Sequence, residues 1–121
     1  MSFPFDPRLF LEIANQLLND SHYEMEGRIR TSIGRAYYAA FLLARKRLQD
    51  IGYSFADVYR LHKDVIETLM DINTSVGNKL NTLFDHRVDA DYRTEARITQ
   101  ELGKSCVRLS EHIIDSIERL K

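Results

Sequence analysis

Leu83-Phe84-Asp85-His86-Arg87-Val88-Asp89-Ala90-Asp91-Tyr92-Arg93 continues a helical repeat and breaks its rule at the same time. The repeat is Val76, Leu80, Leu83 and Phe84. At about 100° per residue, with Leu80 as origin, these four fall between roughly −60° and +40°. On the same count Arg87 lands near −20° and Asp91 near +20°, along the middle of the apolar face. A charge on a buried face is costly unless it is paired. The stretch therefore predicts a helix with two charges that need an internal or external partner.

Outward from this stretch the chain reads as helices throughout. Asp6-Pro7 suits a helix start, with Asp as cap and Pro at the first helical position. Leu9, Phe10, Ile13, Ala14 and Leu17 then form its expected inner face, fading by Asn19 to Ser21. A long helix is predicted from about Tyr23 to Ile51, stopped at Gly52. Ile29, Ile33, Ala36, Tyr37, Ala40, Phe41, Ala44 and Leu48 line one side of it, and the alanines admit a close neighbour. Its other side carries Tyr38 and Leu42 among Arg35, Arg45 and Lys46, a mixed face suited to a partner. Gly34, in mid-helix, costs about 1 kcal/mol against alanine and points to tight packing there.

Asp57 can cap a third helix with Val58, Leu61, Val65 and Leu69 inward and His62 on the edge. Asn73 to Ser75 forms a capping turn into the helix of the opening stretch. Thr94 can cap the last helix, striped by Ile98, Leu102, Cys106, Leu109, Ile113, Ile117 and Leu120. With two prolines and five glycines in 121 residues, no strand pattern competes. The expected fold is all-α, an antiparallel up-and-down four-helix bundle with an additional short helix, as one domain over residues 1–121.

Composition narrows the function classes. A net charge of −1 gives no global attraction to nucleic acid, so such a role must rest on a local patch. No apolar run approaches the roughly 20 residues of a membrane span, and the N-terminus lacks a basic region followed by an apolar one, so a cytoplasmic location is expected. The single cysteine, Cys106, has no intrachain partner. No two histidines stand at i,i+3 or i,i+4, so neither a metal nor another cofactor is expected. The exception to charge balance runs from Gly27 to Gln49, where Arg28, Arg30, Arg35, Arg45, Lys46 and Arg47 occur without an acidic residue. That run could follow a nucleic-acid backbone with Tyr38 as a stacking platform. It could equally be a solvated helix whose partners lie on its neighbours, with the later arginines suiting the helix dipole. Arg35 and Tyr38 are placed for a cation–π contact.

Two motifs together carry a family resemblance. Arg35-Ala-Tyr-Tyr-Ala-Ala-Phe41 followed by Ala44-Arg45 resembles the second-helix signature of HEPN (higher eukaryotes and prokaryotes nucleotide-binding) domains. Arg87-x-x-Ala90-Asp91-Tyr92 is similar to the fourth-helix signature of small stand-alone prokaryotic members, and His62 stands where those members often carry a histidine. The resemblance implies a homodimer. It also implies RNA or nucleotide binding near Arg87, to which the basic run and mixed face add Arg35, Tyr38 and Arg45, and the position beside Arg87 adds His86, as candidate binding side chains. Many members are metal-independent endoribonucleases, as toxins, in defence systems, or beside a minimal nucleotidyltransferase that serves as antitoxin. Their Arg-x(4–6)-His site maps its arginine to Arg87, while Tyr92 stands in place of the histidine.

The chemistry gives each residue two readings. In metal-free RNA cleavage a base takes the 2′-OH proton, an acid protonates the leaving oxygen and a cation offsets charge on the phosphate. Arg87 suits the last role, Asp91 would orient it, and His62 or Tyr92 would handle protons, Tyr92 being the poorer base. Arg87 and Asp91 could instead form an i,i+4 ion pair locking the fourth helix. His62 could be a hydrogen-bonded histidine at the core edge. His86 projects about 100° from Arg87 and would reach a shared site only across a dimer interface. The alternative to an enzyme is a non-catalytic subunit that binds a minimal nucleotidyltransferase, with Arg87 and Asp91 in a structural or intermolecular salt bridge and Tyr92, as the resemblance implies, a target for nucleotide transfer.

Overall fold

The computed structural model describes residues 5–120. Five α-helices pack against one another, and no strand occurs among the described residues. The helices are α1 (Arg8–Leu17), α2 (Met25–Asp50), α3 (Leu61–Ile72), α4 (Thr74–Tyr92) and α5 (Gln100–Glu118), with a 3-10 turn at Val58–Arg60 before α3. The expected bundle with an extra helix is the observed one.

At 26 residues, and thus roughly 39 Å long, α2 is the axis that every other α-helix touches. Its predicted stripe is buried in full, from Ile29 to Leu48. Ala39 and Leu43 are buried on further sides because α1 and α5 also lie against it. Two buried hydroxyls cross-link the layers: Ser32 Oγ donates to the Ala14 carbonyl (2.8 Å) and Ser110 Oγ to the Ala36 carbonyl (2.7 Å). The helix stops as expected at Gly52, whose φ of 114° is the left-handed value glycine tolerates best. The Gly52 and Tyr53 amides return to the carbonyls of Gln49 (3.1 Å) and Leu48 (3.0 Å), closing a Schellman turn.

Other helix ends follow their capping residues. The Asp6 carboxylate accepts the Arg8 amide (3.0 Å) and Pro7 has helical dihedrals, as the Asp-Pro pair predicts. Asn73 Oδ1 accepts the Val76 amide at the start of α4 (3.2 Å). The cap of α5 is Thr99, not Thr94: Thr99 Oγ1 accepts the Leu102 amide (3.1 Å), and buried Ile98 precedes the helix. Asp57 caps the 3-10 turn through the Tyr59 amide (3.0 Å).

Two expected inner faces are corrected. On α1, Leu9 and Ile13 are 47% and 48% exposed, while Ala14 and Leu18 are buried. The inward face is turned by roughly a quarter of a revolution, because this helix carries apolar residues on several sides and its partner selects among them. Val58, expected inward, is 74% exposed, since the 3-10 turn breaks the 3.6-residue repeat before α3 begins. Gly34 is also not the tight point. A Cβ there would lie 3.5 Å from Asp91 Oδ1, an ordinary contact. The close approaches are at Gly77, where a Cβ would lie 2.5 Å from Met70 backbone at the α3–α4 turn, and at Gly103, where it would lie 2.8 Å from Ile29 Cγ2.

Candidate functional site

The opening stretch ends beside α2 and α3, and these three helices bring Arg87, Asp91, Tyr92, Tyr37, Tyr38, Phe41, Phe84 and His62 together. The Arg87 side chain is 13% exposed, as its inward angle predicts, and Asp91 remains 34% exposed. The i,i+4 ion pair forms, with Arg87 Nε 3.0 Å from Asp91 Oδ2. Its alignment is poor, and the buried Nε–H has no hydrogen-bond acceptor. One Nη donates to the Tyr38 hydroxyl (3.0 Å). The guanidinium carbon lies 5.2 Å from the Tyr38 ring centroid, 5.5 Å from Tyr92 and 5.9 Å from Tyr37. Arg87 is thus a mostly buried cation among aromatic faces, paired with one half-exposed carboxylate, and it keeps a donor without an acceptor.

His62 enters the same cluster from the first turn of α3. Its ring stacks on Phe41 (4.3 Å between centroids) and lies 5.7 Å from Phe84. Its Nδ1 is 2.6 Å from the Tyr37 hydroxyl. Burial, and then the charges of Arg87 and Arg45, hold its pKa below the ordinary histidine value, so the ring is neutral at pH 7. Burial pushes the Tyr37 phenol well above its usual range, so it keeps its proton. Tyr37 is fully buried, and His62 Nδ1 is the sole acceptor within reach of its hydroxyl among the described residues. A buried hydroxyl proton needs an acceptor. The phenol therefore donates to Nδ1, and the neutral imidazole carries its own proton on Nε2.

The remaining candidates divide. The Arg35 guanidinium carbon lies 5.3 Å from the Tyr38 ring, the expected cation–π pair, and 4.7 Å from Phe10 of α1. Arg45 is half-buried on the same side and bears electrostatically on His62. Tyr92 is 69% exposed. His86 is half-buried and makes no hydrogen bond or ring contact with the cluster among the described residues.

The basic run is largely committed elsewhere. Arg28 donates to the carbonyls of Leu17 (3.1 Å) and Leu18 (2.5 Å) at the end of α1. Arg30 donates to five carbonyls where α4 gives way to the segment before α5. Arg47 donates to the Leu120 carbonyl past the end of α5. Lys46 pairs with Asp50. As a continuous stripe along a nucleic-acid backbone the run is corrected: of its members, Arg35 and Arg45 alone face the aromatic cluster.

Sequence reasoning placed Tyr37 in the core and passed over its hydroxyl. The signal was available, because a phenol inside an apolar stripe needs a polar partner, and His62 was already on the facing edge. Among the described residues no group of three or more His, Cys, Asp or Glu side chains is arranged to hold a metal ion, and no helix is long and apolar enough to cross a membrane.

An all-α bundle in which a half-buried arginine lies among tyrosine rings, with a neutral histidine and a second arginine nearby, defines a class of helical domain with a cationic, aromatic cluster. The family follows directly: the HEPN domain model matches residues 7–120, so the chain belongs to the HEPN-domain family. It is similar to a UPF0332 protein of Thermotoga maritima, 27% identical over 112 residues that cover 88% of this chain and 84% of the relative. Membership supports a nucleotide- or RNA-related role in general terms.

Proposed function

We propose that the chain binds the phosphate of a nucleotide or an RNA strand at the cationic, aromatic cluster where α2, α3 and α4 meet, with Arg87 as the principal ligand. The observation that carries this is the Arg87 guanidinium itself, a mostly buried cation faced by three tyrosine rings and paired with a single, partly exposed carboxylate. Its planar fork suits bidentate contact with a phosphate. Arg45 adds charge, the His62 Nε2–H adds a neutral donor, and the exposed ring of Tyr92 offers a face to a base, with Tyr38 beside it. Pairing of two copies through the mixed face of α2 and α4 would bring His86 toward a shared site.

Cleavage, with the toxin or defence role that would accompany it, asks more of the same residues. A base must take the 2′-OH proton, and neutral His62 holds a proton on the nitrogen turned away from Tyr37. Binding is the version this hydrogen bonding supports better. Titrating labelled RNA and mononucleotides against wild type and Arg87→Ala tests it, with the same mixtures run on a gel for cleavage products. Equal binding by both proteins, or none by either, overturns the proposal. Arg87-dependent products would establish the endoribonuclease version.

A second reading is favoured by the exposure of Tyr92 beside Arg87. Here the chain is a non-catalytic subunit that binds a minimal nucleotidyltransferase, with the Arg87–Asp91 pair structural; the enzyme transfers the nucleotidyl group of a nucleoside triphosphate to the Tyr92 oxygen, which gives up its proton as pyrophosphate leaves. Mass spectrometry after co-expression with such an enzyme tests it; an unmodified chain that forms no complex removes this reading.

A further inference from the structure

Arg30 holds the end of the helix that carries the site. Its side chain is 16% exposed, and five backbone carbonyls accept from its two Nη groups. One Nη donates to the carbonyls of Asp89 (3.2 Å), Ala90 (3.0 Å) and Arg93 (3.1 Å). The other donates to those of Thr94 (3.4 Å) and Ala96 (2.9 Å). Glu26, one turn earlier on α2, accepts from Nε (3.2 Å) and fixes the side chain from behind. The last carbonyls of a helix lack intrahelical partners and carry the negative end of its dipole, so a cation there is favourable twice over. These carbonyls bracket the site: Ala90 lies immediately before Asp91, and Arg93 immediately after Tyr92. A guanidinium gripping both fixes the two peptide groups between them, and through them the directions of the Asp91 and Tyr92 side chains.

We infer that Arg30 is a positioning residue of the ligand site: by clamping the backbone on both sides of Asp91-Tyr92, it sets how Asp91 and Tyr92 meet the Arg87 guanidinium. For affinity, this inference rests on the phosphate-binding reading; for geometry, it stands without it. Arg28 is a matched control. It leaves the same helix and caps another helix end through two carbonyls, but that end carries no site residue.

The test compares Arg30→Gln and Arg28→Gln in the full chain by thermal melting, RNA affinity, and the NMR resonance of the Arg87 Nε–H. Both variants melt lower. Arg30→Gln alone shifts the Arg87 resonance and weakens RNA binding by about tenfold, the effect of misaligning one charge-assisted hydrogen bond. An unmoved Arg87 resonance in folded Arg30→Gln overturns the inference, as does an equal loss of affinity in Arg28→Gln. Should wild type bind no RNA or nucleotide, the phosphate-binding reading fails alone, and the Arg87 resonance still decides the role of Arg30. Should Arg30→Gln not fold, Arg30→Lys, which keeps the charge and gives up the fork, is read in the same way.

Discussion

Two sets of arginines with the same side chain do opposite things in this molecule. Arg28, Arg30 and Arg47 point into the carbonyl ends of neighbouring helices. Arg35, Arg45 and Arg87 lie on the aromatic side, where rings, a hydroxyl and one poorly aligned carboxylate surround them. Carbonyls take up the Nη groups of Arg28 and Arg47, whose Nε–H groups are buried without an acceptor just as that of Arg87 is, whereas tyrosine rings face the Arg87 guanidinium. Charge count along a helix is therefore a poor guide to an anion site. What matters is whether helix-end carbonyls or aromatic rings surround each guanidinium.

The comparison breaks most visibly in stability. Arg28→Ala and Arg47→Ala each leave helix-end carbonyls without their donor and should lower stability by about 2–3 kcal/mol. That corresponds to a fall of roughly 10 °C in melting temperature for a domain of this size. Ligand affinity should hold steady in both, as measured by calorimetric melting and a binding titration. Arg87→Ala should reverse the pattern, with a loss of about 30-fold in RNA or nucleotide affinity, near 2 kcal/mol, and a smaller change in melting. If Arg87→Ala instead melts as low as Arg28→Ala while binding is kept, the two sets are one set and the contrast disappears.

Smaller effects sharpen the aromatic side. Arg45→Gln and Arg35→Gln should each weaken RNA binding by about threefold and lower its salt dependence by about one counterion, read from affinities across a salt series. The smallest effect is that of pH. The pKa of His62 is lower in the folded chain than the unfolded value of 6.5, so the unfolded chain takes up its proton first. The stability His62 contributes is present above 6.5 and is lost as pH falls from there through the folded value. A protonated ring would stand with Arg45 and Arg87 as a third cation. Urea melts from pH 8 to pH 5 should show this decline, and His62→Phe should flatten it.

The stripe of α2 was legible in full although the helix is buried on further sides too, that of α5 in part, since Cys106, Ile113 and Ile117 are buried and Leu102 and Leu109 only half so, and the anomalous pair in α4 was legible because charge on such a face is rare. The cap of α2 at Gly52 was equally plain. The face of α1 was not, since its six apolar positions fit more than one orientation and only the packed neighbour decides. Gly103 was invisible for a related reason: the atom that needs its missing side chain belongs to Ile29, far away in sequence. In the site, Arg87 and Tyr38 could be named from spacing and resemblance. The assignment of Arg28, Arg30 and Arg47 could not, because their partners are peptide carbonyls, which every residue possesses and no sequence pattern marks.

That same anonymity has a consequence for how the molecule tolerates change. Because Arg30 grips main-chain oxygens at the α4–α5 junction, the exposed side chains of Arg93, Thr94 and Glu95 are not what holds it in shape, while half-buried Ala96 packs against the core. The junction can absorb sequence drift, and a randomised library there should return folded variants of widely differing charge and size. Substitutions that redirect the backbone, proline above all, should be the ones depleted. One arginine on α2 leaves three neighbouring positions open to variation beside the aromatic cluster, where new contacts to a ligand could be tried without disturbing the bundle.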